Sequence, residues 1–135
     1  MVKYKGTDSE VTVPDGVTVI GRSAFKDNQT IISVILPDGV TRIEKRAFDG
    51  CINLQSVSMS NSVIYIGDEA FRHCEKLSSI HTMQNVETIG MGAFAYCSNL
   101  YDLGILDKLR FVGDNGAFIG TGWMEEELKK SDMII

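Results

Sequence analysis

No stretch of this 135-residue chain approaches the roughly 18 consecutive apolar residues that a helix needs to cross a bilayer, so no membrane insertion is expected. The N-terminus, MVKYKGTDSEV, has neither the apolar core nor the small-residue cleavage site of a secretory signal. As written it carries no export address, and a natural start at Met1 would place the chain in the cytoplasm. Basic residues are outnumbered: 13 Lys and Arg against 18 Asp and Glu give a formal net charge of −5. That balance excludes the basic footprint that nucleic acid or an anionic lipid surface requires. Histidine is limited to His73 and His81, and cysteine to Cys51, Cys74 and Cys97. No second Cys or His stands two to four residues from any of the cysteines, so the spacing of a zinc site is missing. Gly113-Asp114-Asn115-Gly116 lacks the Lys and Ser/Thr of a phosphate loop, and no Gly-x-Ser-x-Gly elbow is present. Neither a cofactor nor catalysis is expected.

What the chain does have is one sentence written four times. Val17 to Gly39, Val40 to Ser62, Val63 to Asn85 and Val86 to Lys108 start 23 residues apart, and a fifth copy opens at Leu109 and breaks. A fixed period of this length marks a solenoid, in which each unit buries its apolar face only against its neighbours. With 44% hydrophobic and 23% charged residues the composition is that of an ordinary globular chain. One domain over 1–135 is therefore expected, with a half repeat or cap at 1–16, full repeats at 17–39, 40–62, 63–85 and 86–108, a partial repeat at 109–123 and a cap at 124–135. It is expected to be a monomer.

Three pieces recur in each repeat. Val-x-x-Ile-Gly, as in Val17 to Gly21, has the β-branched residues of a short strand and a Gly that releases the backbone into a turn. In x-x-Ala-Phe-x-x-Cys, Ala70, Phe71 and Cys74 stand one turn apart, which predicts a helical or 3-10 turn with Phe71 inward. In Leu77 to Thr82, Ile80 and Thr82 alternate with Ser79 and His81 as in a half-buried strand. Pro14-Asp15-Gly16 and Pro37-Asp38-Gly39 read as turns that close this strand. The expected fold class is an α/β repeat solenoid, mostly β, with two narrow parallel sheets and short helical or 3-10 turns.

Columns follow from the period. Phe25, Phe48, Phe71, Phe94 and, shifted by one, Phe118 form a core aromatic column. The cysteines form another, about 5 Å apart if they follow parallel-strand spacing. Buried free thiols are the first reading; a strained bridge and a metal site are the alternatives, the bridge disfavoured by parallel Cβ vectors and an odd count. Asn28-Gln29-Thr30 is a formal glycosylation sequon in the cysteine column and is discounted for that reason. Residues Tyr4, Lys5 and Gly6 read as a strand or hairpin over the first unit. Met124 to Lys130, with acids first and lysines last, reads as a capping helix, and Trp123 as the cover of the last Phe.

The units VTRIEKRAFDGCINLQSVSMSNS and VIYIGDEAFRHCEKLSSIHTMQN resemble the 23-residue leucine-rich repeats of the BspA-like class over about residues 9 to 123. The resemblance implies a right-handed horseshoe or arc whose Leu-x-x-Val-x-Leu strands line the concave side, and a surface or secreted protein, bacterial or protist, that binds host matrix proteins or other cells. Departures are Asn28 for Cys, Glu44 for Gly, and Ser60, Met83 and Leu106 for Pro.

On that strand the outward columns are Glu10, Ser33, Ser56, Ser79, Asp102; Thr12, Ile35, Ser58, His81, Gly104; and, flanking, Ser9, Ile32, Gln55, Ser78, Tyr101. This surface is rich in hydroxyls and has no Lys or Arg. Its bulky anchors are Ile32, Ile35, His81 and Tyr101, and interface energy concentrates in such residues. The candidate partner-binding set is thus Ile32, Ile35, Gln55, Ser56, Ser58, Ser79, His81, Tyr101 and Asp102. Small hydroxyl residues also simply suit a tightly curved exposed sheet. A Ser-His-acid set from His81, Ser56 or Ser58 and Asp102 can be drawn, but any serine ladder with one histidine offers the same. The expectation is a non-enzymatic module that binds a protein or cell-surface partner; the alternative is a structural spacer or fragment of a longer repeat array.

Overall fold

The 23-residue period becomes a 23-residue register in space. The structure, a computed structural model, describes residues 4, 6–81, 83–104, 106–113 and 115–134, with the side chains at 81, 115 and 130–134 excepted. Strands β1 (Glu10–Thr12), β3 (Ser33–Ile35), β5 (Ser56–Ser58) and β7 (Ser79–His81) form one parallel sheet in that order. Strands β2 (Val19–Ile20), β4 (Arg42–Ile43), β6 (Tyr65–Ile66), β8 (Thr88–Ile89) and β9 (Phe111–Val112) form a second. Glu10 lies opposite Ser33, Ser33 opposite Ser56 and Ser56 opposite Ser79. The middle residues Val11, Val34, Val57 and Ile80 are buried, so the alternation read from sequence holds. Thr82, the next inward position, lies outside the described residues, as do Lys5 and Asp114.

The segment between β6 and β7 forms neither the helical nor the 3-10 turn expected of x-x-Ala-Phe-x-x-Cys. Its amides alternate between two jobs. Those of Ala70, Arg72 and Cys74 close tight turns on Gly67, Glu69 and Phe71, while those of Glu69, Phe71 and His73 reach the carbonyls of Met91, Ala93 and Ala95 in the next coil. The alternation requires left-handed backbone at Glu69 (φ 56°) and His73 (φ 60°). Ser23, Arg46 and Gly92 repeat the first position, and Asp27, Gly50 and Tyr96 the second, all with positive φ. A continuous helix would aim every N–H along its own axis and leave none for the neighbouring coil. The arc thereby becomes a third hydrogen-bonded side of the stack. Among the described residues a 3-10 helix proper forms only in the last unit, over Asn115–Phe118.

Inside the coils the phenylalanines stack as rings rather than meeting edge to face. Centroids from Phe25 to Phe48, Phe71, Phe94 and Phe118 are 4.9, 5.1, 5.2 and 5.8 Å apart, with interplanar angles of 5° or less. Equivalent backbone positions give equivalent side-chain directions, so translation alone makes the rings parallel. Cys51, Cys74 and Cys97 are fully buried thiols joined in no disulfide among the described residues. Each donates to the carbonyl of a Phe in the preceding coil, at 3.1, 3.1 and 3.0 Å to Phe25, Phe48 and Phe71. Burial pushes the Cys74 thiol well above its ordinary pKa. In the same column Asn28 is half-buried and turns its Oδ1 to the Thr30 and Ile31 amides, at 3.0 and 3.1 Å, closing a local turn.

At the C-terminal end, α1 spans Gly122–Ile134. It begins before and ends after the expected Met124 to Lys130, so its lysines fall short of the last turn. The cap explains the start: Thr121, in the cysteine column, accepts the Met124 amide at 3.0 Å and donates to the Phe118 carbonyl at 2.7 Å. Trp123 meets the Phe118 ring at 5.4 Å and 60°. At the other end Tyr4 bonds the Ala24 carbonyl at 2.7 Å and packs its ring 5.0 Å from Phe25.

Candidate interaction face

The outer face of the β1-β3-β5-β7 sheet carries the hydroxyl columns where the period places them. Ser33, Ser56 and Ser79 are half-buried in register, and Thr12, Ile35 and Ser58 are exposed beside them. The flanking column is tied by main chain: the Ile32 amide bonds Ser9, Gln55 bonds Ile32 and Ser78 bonds Gln55, at 2.6, 2.7 and 3.0 Å. Ile32 and Ile35 are 40% and 50% exposed, which puts two large aliphatic side chains on an otherwise hydroxyl-lined surface. His81 belongs to β7 and pairs opposite Ser58 through the backbone; its side chain lies outside the described residues.

Asp102 and Tyr101 do not extend this sheet. Among the described residues it ends at β7, and the fifth rung expected at Asp102 and Gly104 is replaced by a turn. Asp102 accepts the Gly104 amide at 2.8 Å, and Gly104 adopts φ 68°. An Asp two residues before a Gly favours this closure over a strand, a signal already present in the sequence. Tyr101, 58% exposed, instead leans over the start of α1: a Cβ on Gly122 would meet its ring at 2.5 Å. The structure therefore groups Ile32, Ile35, Gln55, Ser56, Ser58 and Ser79 on one face and sets Tyr101 and Asp102 at its end.

The turn arc has a different electrostatic character. Arg72 forks onto Asp49, Nε to Oδ1 at 3.1 Å and Nη2 to Oδ2 at 2.8 Å, and also bonds Glu69. Glu69 in turn accepts Arg46 Nε at 2.9 Å. Burial pushes the Glu69 carboxyl up, but the Arg46 hydrogen bond and the charges of Arg72, Arg46 and Lys45 outweigh it and hold the pKa below the ordinary 4.5. A depressed folded pKa contributes stability that is present above the unfolded value and lost as pH falls through the folded one. Glu69→Gln is thus expected to cost about 1 kcal/mol at neutral pH, with the gap to wild type closing below pH 4.5. Melting curves of both chains across that range check this; a gap independent of pH would remove the ionic contribution.

Sequence reasoning missed one cluster on the arc. Met91, Tyr96 and Ile119 are exposed together beside a depression of about 390 Å³. A larger cavity, about 880 Å³, lies at the N-terminal end and is lined by Tyr4, Val13, Ile20 and Phe25 among others. The larger one meets the hydroxyl face at its first rung, Glu10 and Thr12; the smaller one lies on the arc.

Residues 3–121 match the family described as BspA type Leucine rich repeat region, in six copies. A leucine-rich repeat protein of T. pallidum is similar in structure, with a TM-score of 0.82 and 29% identity over 87% of this chain and 57% of that one. A leucine rich cell surface protein of Faecalibacterium prausnitzii gives 0.64 and 26%, over 89% and 41%. A pneumococcal vaccine antigen shares the fold, at 0.57 and 22%, over 88% and 40%. The chain thus spans between 40% and 57% of the length of these three proteins. No curated protein matches it in sequence.

Proposed function

The chain belongs to the BspA-type leucine-rich repeat family, and on that premise we propose that it is a non-enzymatic module that binds a protein or cell-surface partner through the outer face of the β1-β3-β5-β7 sheet. The observation that carries this reading is the pairing of exposed Ile32 and Ile35 with ranks of Ser and Thr on a regular surface. Apolar anchors supply the energy and the surrounding hydroxyls supply directional contacts once water is displaced. One structural neighbour is itself a cell surface protein, which supports a partner of that kind. The second reading, a spacer or a piece of a longer array, is favoured by the shorter span of this chain relative to the similar structures.

A labelled chain screened against matrix proteins and source-cell extract tests the proposal, alongside the variants Ile32→Ser/Ile35→Ser and His81→Ser/Tyr101→Ser. Binding that the isoleucine pair weakens by about tenfold or more supports recognition on the sheet. Binding that both variants retain would move the contact off this face, and no binding at all would favour the spacer.

A further inference from the structure

The outward positions of the turn arc change chemistry along the stack. The column Arg22, Lys45, Asp68 ends in Met91, and the column Asp27, Gly50, His73 ends in Tyr96. Met91, Tyr96 and Ile119 are 52%, 46% and 48% exposed, and the Tyr96 ring is held by stacking 4.9 Å from His73. They line the depression of about 390 Å³ together with Lys45, Glu69 and Arg72. Three large apolar side chains held out at one place mark an interaction surface.

The charges beside them are unequally committed. Arg72 is taken by Asp49 and Glu69, Glu69 by Arg46 and Arg72, and Asp68, which also lines the depression, accepts the Met91 amide at 2.9 Å. Lys45 acts on Glu69 only through its longer-range charge and makes no ion pair among the described residues. The surface therefore fits an apolar side chain with a carboxylate beside it. Helix α1 presents that combination: Leu128 is 53% exposed, and exposed Glu125 stands three residues before it, on the same helical face. Helix and apolar cluster both belong to the C-terminal end of the stack, so one two-fold axis can place each helix against the other copy.

We propose that the chain pairs with a second copy, Leu128 of α1 in one copy entering the depression lined by Met91, Tyr96 and Ile119 in the other, with Glu125 against Lys45. The contact is reciprocal and closed, as in a two-fold dimer. It uses the arc and leaves the hydroxyl face free, so it stands or falls separately from the binding function above.

Size-exclusion chromatography with light scattering on the whole chain, from micromolar to millimolar, tests it. The wild-type mass is expected to rise to twice the chain mass with concentration. Leu128→Asp is expected to weaken pairing at least tenfold without shifting the melting point; Lys45→Glu is expected to weaken it as much, with a small loss of stability because its charge also acts on Glu69, and Lys45→Glu combined with Glu125→Lys to restore pairing. A wild-type monomer at every concentration would overturn the proposal. A dimer indifferent to all three variants would do so too, by placing the contact elsewhere, such as the N-terminal end.

Discussion

Phe71→Ala is expected to lower the stability of this chain by about 3–5 kcal/mol, or about 10–18 °C in melting temperature for a chain of this length. The ring is fully buried at the middle of the stack, with Phe48 on one side and Phe94 on the other, at 5.1 and 5.2 Å. Removing it opens a cavity between two coils whose main chains are tied to their neighbours by a ladder of hydrogen bonds, so the walls cannot collapse into the space. Phe25 and Phe118, at 5% and 7% exposure, have a phenylalanine on one side only, and the same truncation there is expected to cost less. Thermal melts of the three variants decide it; a cost at Phe71 no larger than at the ends would show that the column is not a shared core.

Gly90→Ala is expected to rank second, at about 3 kcal/mol, the upper end of what overpacking costs. The glycine is not there for an unusual backbone angle. A Cβ at this position would stand 2.5 Å from the Asp68 amide nitrogen and 2.7 Å from the Gly67 carbonyl carbon, main-chain atoms that cannot swing aside. Gly67 and Gly113 face the same obstacle one coil away on either side, at 2.8 and 2.4 Å from main-chain nitrogens. The contrast is Gly39, which has a φ of 100° and open space around it, so alanine there meets backbone strain alone. Denaturant midpoints of Gly90→Ala and Gly39→Ala separate the two causes. If the Gly39 variant were the weaker protein, close approach would not be what fixes the glycine column.

Much of the architecture was legible because the period does the work of an alignment within one chain. Val34, Val57 and Ile80 share a column in the sequence and a register in the sheet. The arc was misread for a definite reason. Ala70, Phe71 and Cys74 have helical spacing, yet the left-handed residues that break the helix are Glu69, a type that gives no such warning, and His73, a type that gives a weak one. Gly92 and Gly50, with Asp27 more weakly, hinted at positive φ in the same two columns. The candidate face was legible to the same degree. Ile32, Ile35 and the serines followed the period, while Asp102 left it through a side-chain bond that column counting ignores. The apolar cluster on the arc was hidden because Ile119 joins Met91 and Tyr96 only through an offset that has grown by one residue, from Phe94 to Phe118.

That single added residue and the uniform 23-residue pairing elsewhere have a consequence for how such a chain can change over generations. β8 and β9 still pair with an offset of 23, Thr88 to Phe111, so the extra residue falls after β9 and leaves every strand pair upstream of it intact. Loss or duplication of a whole coil, through unequal crossing-over in a repetitive gene, would likewise return each remaining strand to a partner of the same kind. Length is then nearly free to vary, whereas the composition of each outward column is inherited coil by coil. A family built this way can lengthen or shorten its reach without redesigning its core.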